Sequence, residues 1–195
     1  MKIAGSIIVL ILVGAGIWYA IQTKPNAEVQ NAVVSDAVMG EVENNQGDVS
    51  SLKQIDNANI KITFKGFGPG KVHNGSFSGI TSNLSTDGSG IKGDISVDLN
   101  SMTTDTEKLT GHLKSKDFFD TEKYPTAKFQ AMSLVDGKLS GTLSVHGTTK
   151  NVTVNAGEPV NGAYNIMFNL NMKEFGIDQK FANEIVELNI VVPVK

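Results

Sequence analysis

Cysteine and arginine are both absent from this 195-residue chain, and each absence removes a class of chemistry. Without cysteine there is no disulfide framework, no thiol nucleophile and no thiolate metal ligand. All 17 basic residues are lysine, so bidentate guanidinium clamps on phosphate or carboxylate are excluded. Charge of either sign is also in short supply. From Val49 to Lys195, 15 Lys face 15 Asp and Glu, and the formal net charge of −3 arises because residues 25–48 carry five acids and no Lys. A neutral, arginine-free domain is not built for nucleic acid. Histidine is limited to His73, His112 and His146, none at i, i+4 or His-x-His spacing to another. A zinc site needs three or four converging ligands, so these are read as solvated or capping groups and no metal or other cofactor is expected.

What is present first is an apolar run. Ile3 to Ile21 is 19 uncharged, mostly apolar residues behind Met1 and Lys2. As a helix it would be about 29 Å long, close to the ~30 Å hydrocarbon core of a bilayer. No small-x-small cleavage site closes it, because Trp18 stands where a small residue is needed before Ala20. Trp18 and Tyr19 suit an interfacial aromatic belt. Residues 1–23 are therefore expected to be an uncleaved signal anchor, a transmembrane helix, with a cleaved signal peptide as the alternative. Either way the remainder is exported: held in the cell envelope with the membrane as one partner if the segment stays, secreted or periplasmic if it is cleaved. Residues 24–48 carry acids and Asn without a sustained period and are expected to be a flexible acidic tether, or else a short helix lying on the domain.

From Val49 onward, apolar and polar residues alternate between Gly, Asn and Asp turns. Ile91, Ile95, Val97 and Leu99 share one face, as do Leu139, Leu143 and Val145 with Gly141. Tyr164, Ile166, Phe168, Leu170 and Met172 alternate with Asn165, Asn169 and Asn171, and Val186, Leu188, Ile190 and Val192 lie opposite Glu187 and Asn189. Further strands are expected at 51–55, 58–65, 74–82, 126–135 and 148–156, about nine in all, with Asp136-Gly137 as a hairpin turn. Thr104 and Glu107 have capping-box spacing ahead of Leu109 and Leu113, which predicts a short helix within 104–116. Many short, one-sided strands with one inserted helix fit an antiparallel barrel, whose closure removes edges; a β-sandwich is the rival.

No Ser lies in a nucleophile-elbow context, and Gly66, Gly68, Pro69 and Gly70 lack the following Gly-Lys-Ser/Thr of a phosphate loop, so they read as a turn. His112, Asp117 and Asp120 are the groups an enzyme reading would have to use, and no catalytic role is expected of them. Phe118 and Phe119 read as core packing or as a gate. The inward positions Ile95, Leu99, Phe129, Leu143, Phe168, Leu170, Leu188 and Ile190 either fill the barrel or line a cavity, with the small inward residues Gly141, Ala127 and Ala131 leaving room inside.

Three ordered segments carry a family resemblance. His112-Leu-Lys-Ser-Lys-Asp-Phe-Phe-Asp-Thr-Glu-Lys-Tyr-Pro-Thr-Ala-Lys-Phe129, Gly141-Thr-Leu-Ser-Val-His-Gly-Thr-Thr-Lys-Asn-Val152 and Phe175-Gly-Ile-Asp178 resemble, in order and spacing, elements of the YceI-like family. The resemblance implies a domain over residues 49–195 with an extended, lipocalin-like antiparallel β-barrel. It further implies non-catalytic binding, storage or transport of a polyisoprenoid or other long-chain amphiphilic lipid on the extracytoplasmic, periplasmic side. The nine residues expected to line that cavity are Ile95, Leu99, Phe118, Phe129, Leu143, Phe168, Leu170, Leu188 and Ile190. The chain departs from the family pattern at Asn59-Ile60, at Leu109-Thr110 and at Lys173, so the fold and the apolar tunnel carry over and a family head-group site does not. A homodimer stays open, and the alternative function is a solid-core interaction module of the envelope without ligand.

Overall fold

The computed structural model describes residues 24–37, 54–87, 90–178 and 182–195. Twelve strands are found among them: β1 (Val33–Asp36), β2 (Lys61–Gly68), β3 (Lys71–Phe77), β4 (Ile80–Ser82), β5 (Ser85–Asp87), β6 (Gly90–Asp98), β7 (Met102–Thr104), β8 (Thr126–Val135), β9 (Lys138–Val145), β10 (Thr148–Asn155), β11 (Ala163–Asn171) and β12 (Ile185–Pro193). One α-helix, α1 (Glu107–Lys114), sits between β7 and β8. Every strand-to-strand pairing is antiparallel.

The strands form a seven-stranded sheet in the order β1-β10-β9-β8-β6-β4, with β5 also on β6, and a five-stranded sheet in the order β11-β12-β2-β3-β7. Two junctions turn these sheets into a barrel around one core. On one side the chain itself crosses. β3 bends at Ser78-Gly79 into β4, and β6 passes through the 3-10 turn Leu99–Ser101 into β7, the two bends being tied by Asp98 N–H donating to the Gly79 carbonyl at 2.8 Å. These bends explain why the stretch 74–82 is two strands rather than one. Residues 57–59 are a 3-10 turn, so β2 starts at Lys61 rather than at 58; of the expected strand 51–55 only Gln54 and Ile55 are described, Ile55 bridging Val194.

The other junction corrects the reading of residues 24–48 as a tether. Ala32 N–H donates to the Asn169 carbonyl at 2.8 Å and Asn169 N–H to the Gln30 carbonyl at 2.9 Å, so residues 30–32 run along the free edge of β11. The chain then continues into β1, which pairs with β10 from Val33↔Thr153 to Asp36↔Lys150. Residues 30–36 thus fill the seam between β10 and β11. The physical cause is a short alternation: Ala32 and Val34 pack against the core while Val33 stands in solvent. The rest of the expected tether, from residue 38, and the expected membrane helix at 1–23 lie outside the described residues. Among the described residues no helix is long and apolar enough to cross a membrane.

Helix α1 begins two residues later than its capping-box spacing suggests. Thr106, not Thr104, is the N-cap, its hydroxyl accepting from Leu109 N–H at 3.3 Å. Thr104 ends β7 instead, and its own N–H is taken by the Thr110 hydroxyl at 3.0 Å. The helix buries Leu113 together with Phe64 and Met102, and Phe118 and Phe119 join this cluster to the main core.

Candidate functional site

Cross-strand register decides which side chains meet inside. In an antiparallel ladder directly opposed residues share a face, so each register line is a rung of the wall. In the five-stranded sheet one rung is Ile166, Ile190, Ile62 and Phe77, and the next is Phe168, Leu188, Phe64 and Gly75. A third is Leu170, Val186, Gly66 and His73. In the seven-stranded sheet Ile95, Phe129 and Leu143 form one rung.

These rungs enclose a cavity of about 500 Å³, open to solvent and lined almost wholly by carbon. That volume lies within the ~300–1,000 Å³ of small-molecule sites. All nine residues named from the sequence line it: Ile95, Leu99, Phe118, Phe129, Leu143, Phe168, Leu170, Leu188 and Ile190. Phe118 stacks obliquely on Phe119 with ring centres 5.0 Å apart and meets the edge of His112 at 6.1 Å. Both rings line the cavity from the α1 side, so they pack and face its interior at once.

Of the three small residues expected to leave room inside, Ala127 and Ala131 line the cavity and Gly141 does not. A Cβ on Gly141 would collide with the Gln130 carbonyl oxygen and come within 2.6 Å of the Phe129 ring, so that space is filled. Gly66, read as part of a turn, lies in β2 with nothing within 4 Å of its Cβ position, and it lines the cavity. Its partner His73, read from the sequence as a solvated or capping group, lines the cavity. It stands on β3, on the inward face beside Gly75 and Phe77, and the period-two spacing Phe77, Gly75, His73 was the signal for it. His146 is structural, its ring 4.7 Å from Tyr124.

Polar groups enter the wall at one end. His73 Nδ1 lies 2.9 and 3.1 Å from the two carboxylate oxygens of Asp105, and Lys71 Nζ lies 3.4 Å from the same carboxylate. A carboxylate only accepts, so Nδ1 carries the proton and donates. This bond, aided by the charges of His73 and Lys71, holds the Asp105 carboxyl below the usual range. His112, Asn183 and Glu184 also line the cavity, and Glu184 is held by Lys173 at 3.6 Å. At the opposite end of β11, burial pushes the Tyr164 phenol up. Among the described residues no three His, Asp or Glu converge as a metal site would require.

Comparison with known proteins agrees with this architecture. The YceI-like domain family model matches residues 53–194, leaving β1 outside the matched span. A UPF0312 protein of Shewanella denitrificans is 35% identical over 117 residues, covering 52% of this chain and 61% of that protein. A UPF0312 protein of Vibrio cholerae is 32% identical over 112 residues, covering 50% and 59%. The matches therefore span about three-fifths of these relatives' length. Among solved structures, Burkholderia cenocepacia BcnA superposes with a TM-score of 0.64 at 18% identity, over 72% of this chain and 99% of that one. A polyisoprenoid binding domain from Saccharophagus degradans, implicated in plant cell wall breakdown, gives 0.56 at 15% identity, over 73% and 98%. At such identities the likeness is one of fold.

Proposed function

The chain belongs to the YceI-like family, and from that premise we propose that its barrel binds a long-chain, polyisoprenoid-like amphiphile non-covalently on the extracytoplasmic side of a membrane. The observation that carries this reading is the 500 Å³ apolar cavity. A solid-core interaction module has no use for such a space, and the solved polyisoprenoid binding domain supports the choice of ligand class.

Mechanistically, each CH₂ moved from water to the cavity gains about 0.8 kcal/mol. For a lipid leaving a bilayer that gain is largely cancelled, because the hydrocarbon core is equally apolar. The barrel then exchanges lipid with the membrane rather than trapping it. If residues 3–21 span the membrane, only residues 22–28 separate the bilayer from Val29, and seven residues reach at most about 25 Å. Such a short connection would hold the barrel against the membrane surface and raise the effective lipid concentration at its mouth. No covalent step belongs to this reading.

The test is native mass spectrometry of the full chain released from detergent micelles, followed by organic extraction of what is bound. A discrete lipid adduct that disappears in Leu143→Trp and Phe168→Trp supports the reading. A protein that stays bare after incubation with isoprenoid alcohols and fatty acids overturns it.

A further inference from the structure

The inner face of β3 changes character along its length. From the middle of the barrel outward, the positions on this face are Phe77, Gly75 and His73, and then Lys71, which is 59% exposed at the rim: an apolar half followed by an inward imidazole and a rim lysine. The directly opposed positions on β2 are Ile62, Phe64, Gly66 and Gly68, so glycine stands opposite His73 and Lys71, with the buried Phe67 ring lining the same end. The wall thus has the polarity of an amphiphile, with an apolar stretch ending in a small open space beside an imidazole.

The geometry of that end is specific. The Asp105 carboxylate fixes His73 through Nδ1, leaving Nε2 without a partner among the described residues. The Nε2 and Cδ2 edge of the ring lies over Gly68, 3.7–3.8 Å from where a Cβ would stand. Across the strand pair, Gly66 leaves its inward space empty. Both glycines and His73 line the cavity, and the His73 side chain keeps 24% of its exposure, so a group entering from solvent reaches it.

We propose that Gly66 and His73 form the seat of the ligand's head group, and that this head group is an oxyanion, a carboxylate or a phosphate, on a single long apolar chain. The inference rests on the lipid-binding reading and adds the chemistry of the polar end. An alcohol offers Nε2 one hydrogen bond. An oxyanion takes a charge-assisted hydrogen bond from Nε2 once the ring carries both protons, the second brought by solvent or by the acid ligand itself, and the Asp105 carboxylate supports that cation from behind. Lys71 supplies a second cation at the rim, so two bases share the single Asp105 carboxylate. The acid that lines the cavity, Glu184, shares Lys173 at 3.6 Å with Asp178 at 3.4 Å, so selectivity at this end comes from the directed Nε2 bond and not from a surplus of positive charge. His112, the other imidazole in the lining, is turned edge-on to Phe118.

The experiment offers the full chain, in detergent at neutral pH, an equimolar mixture of palmitic acid, hexadecyl phosphate and hexadecanol, and reads the adduct ratios by native mass spectrometry. The wild type should favour an acidic ligand over the alcohol about tenfold, the scale of one charge-assisted hydrogen bond. His73→Leu should bring that ratio to near one while the alcohol adduct persists. Whether the carboxylate or the phosphate leads identifies the source of the oxyanion. A wild type that takes acid and alcohol equally overturns the head-group inference and leaves lipid binding standing. So does a His73→Leu protein that keeps the full preference. A protein that takes none of the three overturns both.

Discussion

Asn31 lies opposite Asn169 in a parallel bridge, and the Asn169 side-chain amide donates to Asn31 Oδ1 at 3.3 Å and to the Val29 carbonyl at 3.0 Å. With its backbone bonds to Gln30 and Ala32, Asn169 ties the stretch ahead of β1 to the barrel through four hydrogen bonds. The stretch lies outside the part of the chain matched by the family model, yet it occupies the β10–β11 seam. Its attachment is therefore separable from the core domain and can be tested on its own.

Asn169→Ala keeps the backbone bonds and removes the two side-chain bonds. Because Asn169 is 6% exposed and its Oδ1 has no partner, the native residue already carries a desolvation cost, and the net loss should be only about 1 kcal/mol. The larger effect should be local. Amide hydrogen exchange at Ala32 and Val34 should accelerate while Phe168 and Leu188 stay protected, and equal protection at all four would show that the seam does not depend on this side chain.

Two glycines should respond to alanine in opposite senses. At Gly141 the new methyl meets the Gln130 carbonyl and the Phe129 ring, and the backbone cannot yield, so a loss of about 1–3 kcal/mol in urea denaturation is expected. At Gly66 the methyl enters open space at an ordinary φ, and reduced freedom of the unfolded chain should give a gain of about 0.4–1 kcal/mol. Equal destabilisation by both would mean that the space beside His73 is not there.

Glu187 is 3% exposed on β12, with Lys65 Nζ at 2.6 Å from its carboxylate, while Lys65 itself is half exposed. Removing the lysine strands a buried charge, whereas removing both charges does not. Lys65→Met should cost up to about 3 kcal/mol, tempered by the exposure of the lysine, and Lys65→Met with Glu187→Leu should recover most of it. A double-mutant cycle in urea with no coupling between the two positions would contradict this account.

Asp105 has a depressed pKa, first through the His73 hydrogen bond. A carboxyl depressed in the folded state contributes stability that is present above its unfolded value, about 3.9, and lost as pH falls through the folded one. Thermal unfolding of the wild type should therefore lose more stability below pH 4 than that of Asp105→Asn. Parallel pH profiles below that point would show that His73 and Asp105 are not coupled in the folded protein.

The period-two alternation was enough to identify the inward faces, because a strand's backbone sends successive side chains to opposite sides whatever its partners are. For that reason Ile95, Phe129, Leu143, Phe168, Leu170, Leu188 and Ile190 could be placed in the wall before any pairing was known, and they do line the cavity. The ordered motifs likewise identified the family from local sequence alone. Register, seams and free space are different in kind, since they depend on contacts between residues far apart in the chain. Val33–Asp36 is too short to read as a strand and becomes one because the edges of β10 and β11 stand open on either side of it. Gly141 and Gly66 look alike in sequence, and the Gln130 carbonyl and Phe129 ring lying over the first make it filled while the second stays empty. The sequence by itself determined an antiparallel β domain with apolar inner faces; tertiary structure decided that those faces enclose a cavity and that His73 stands at its polar end, because cross-strand register is set by pairing and not by any residue alone.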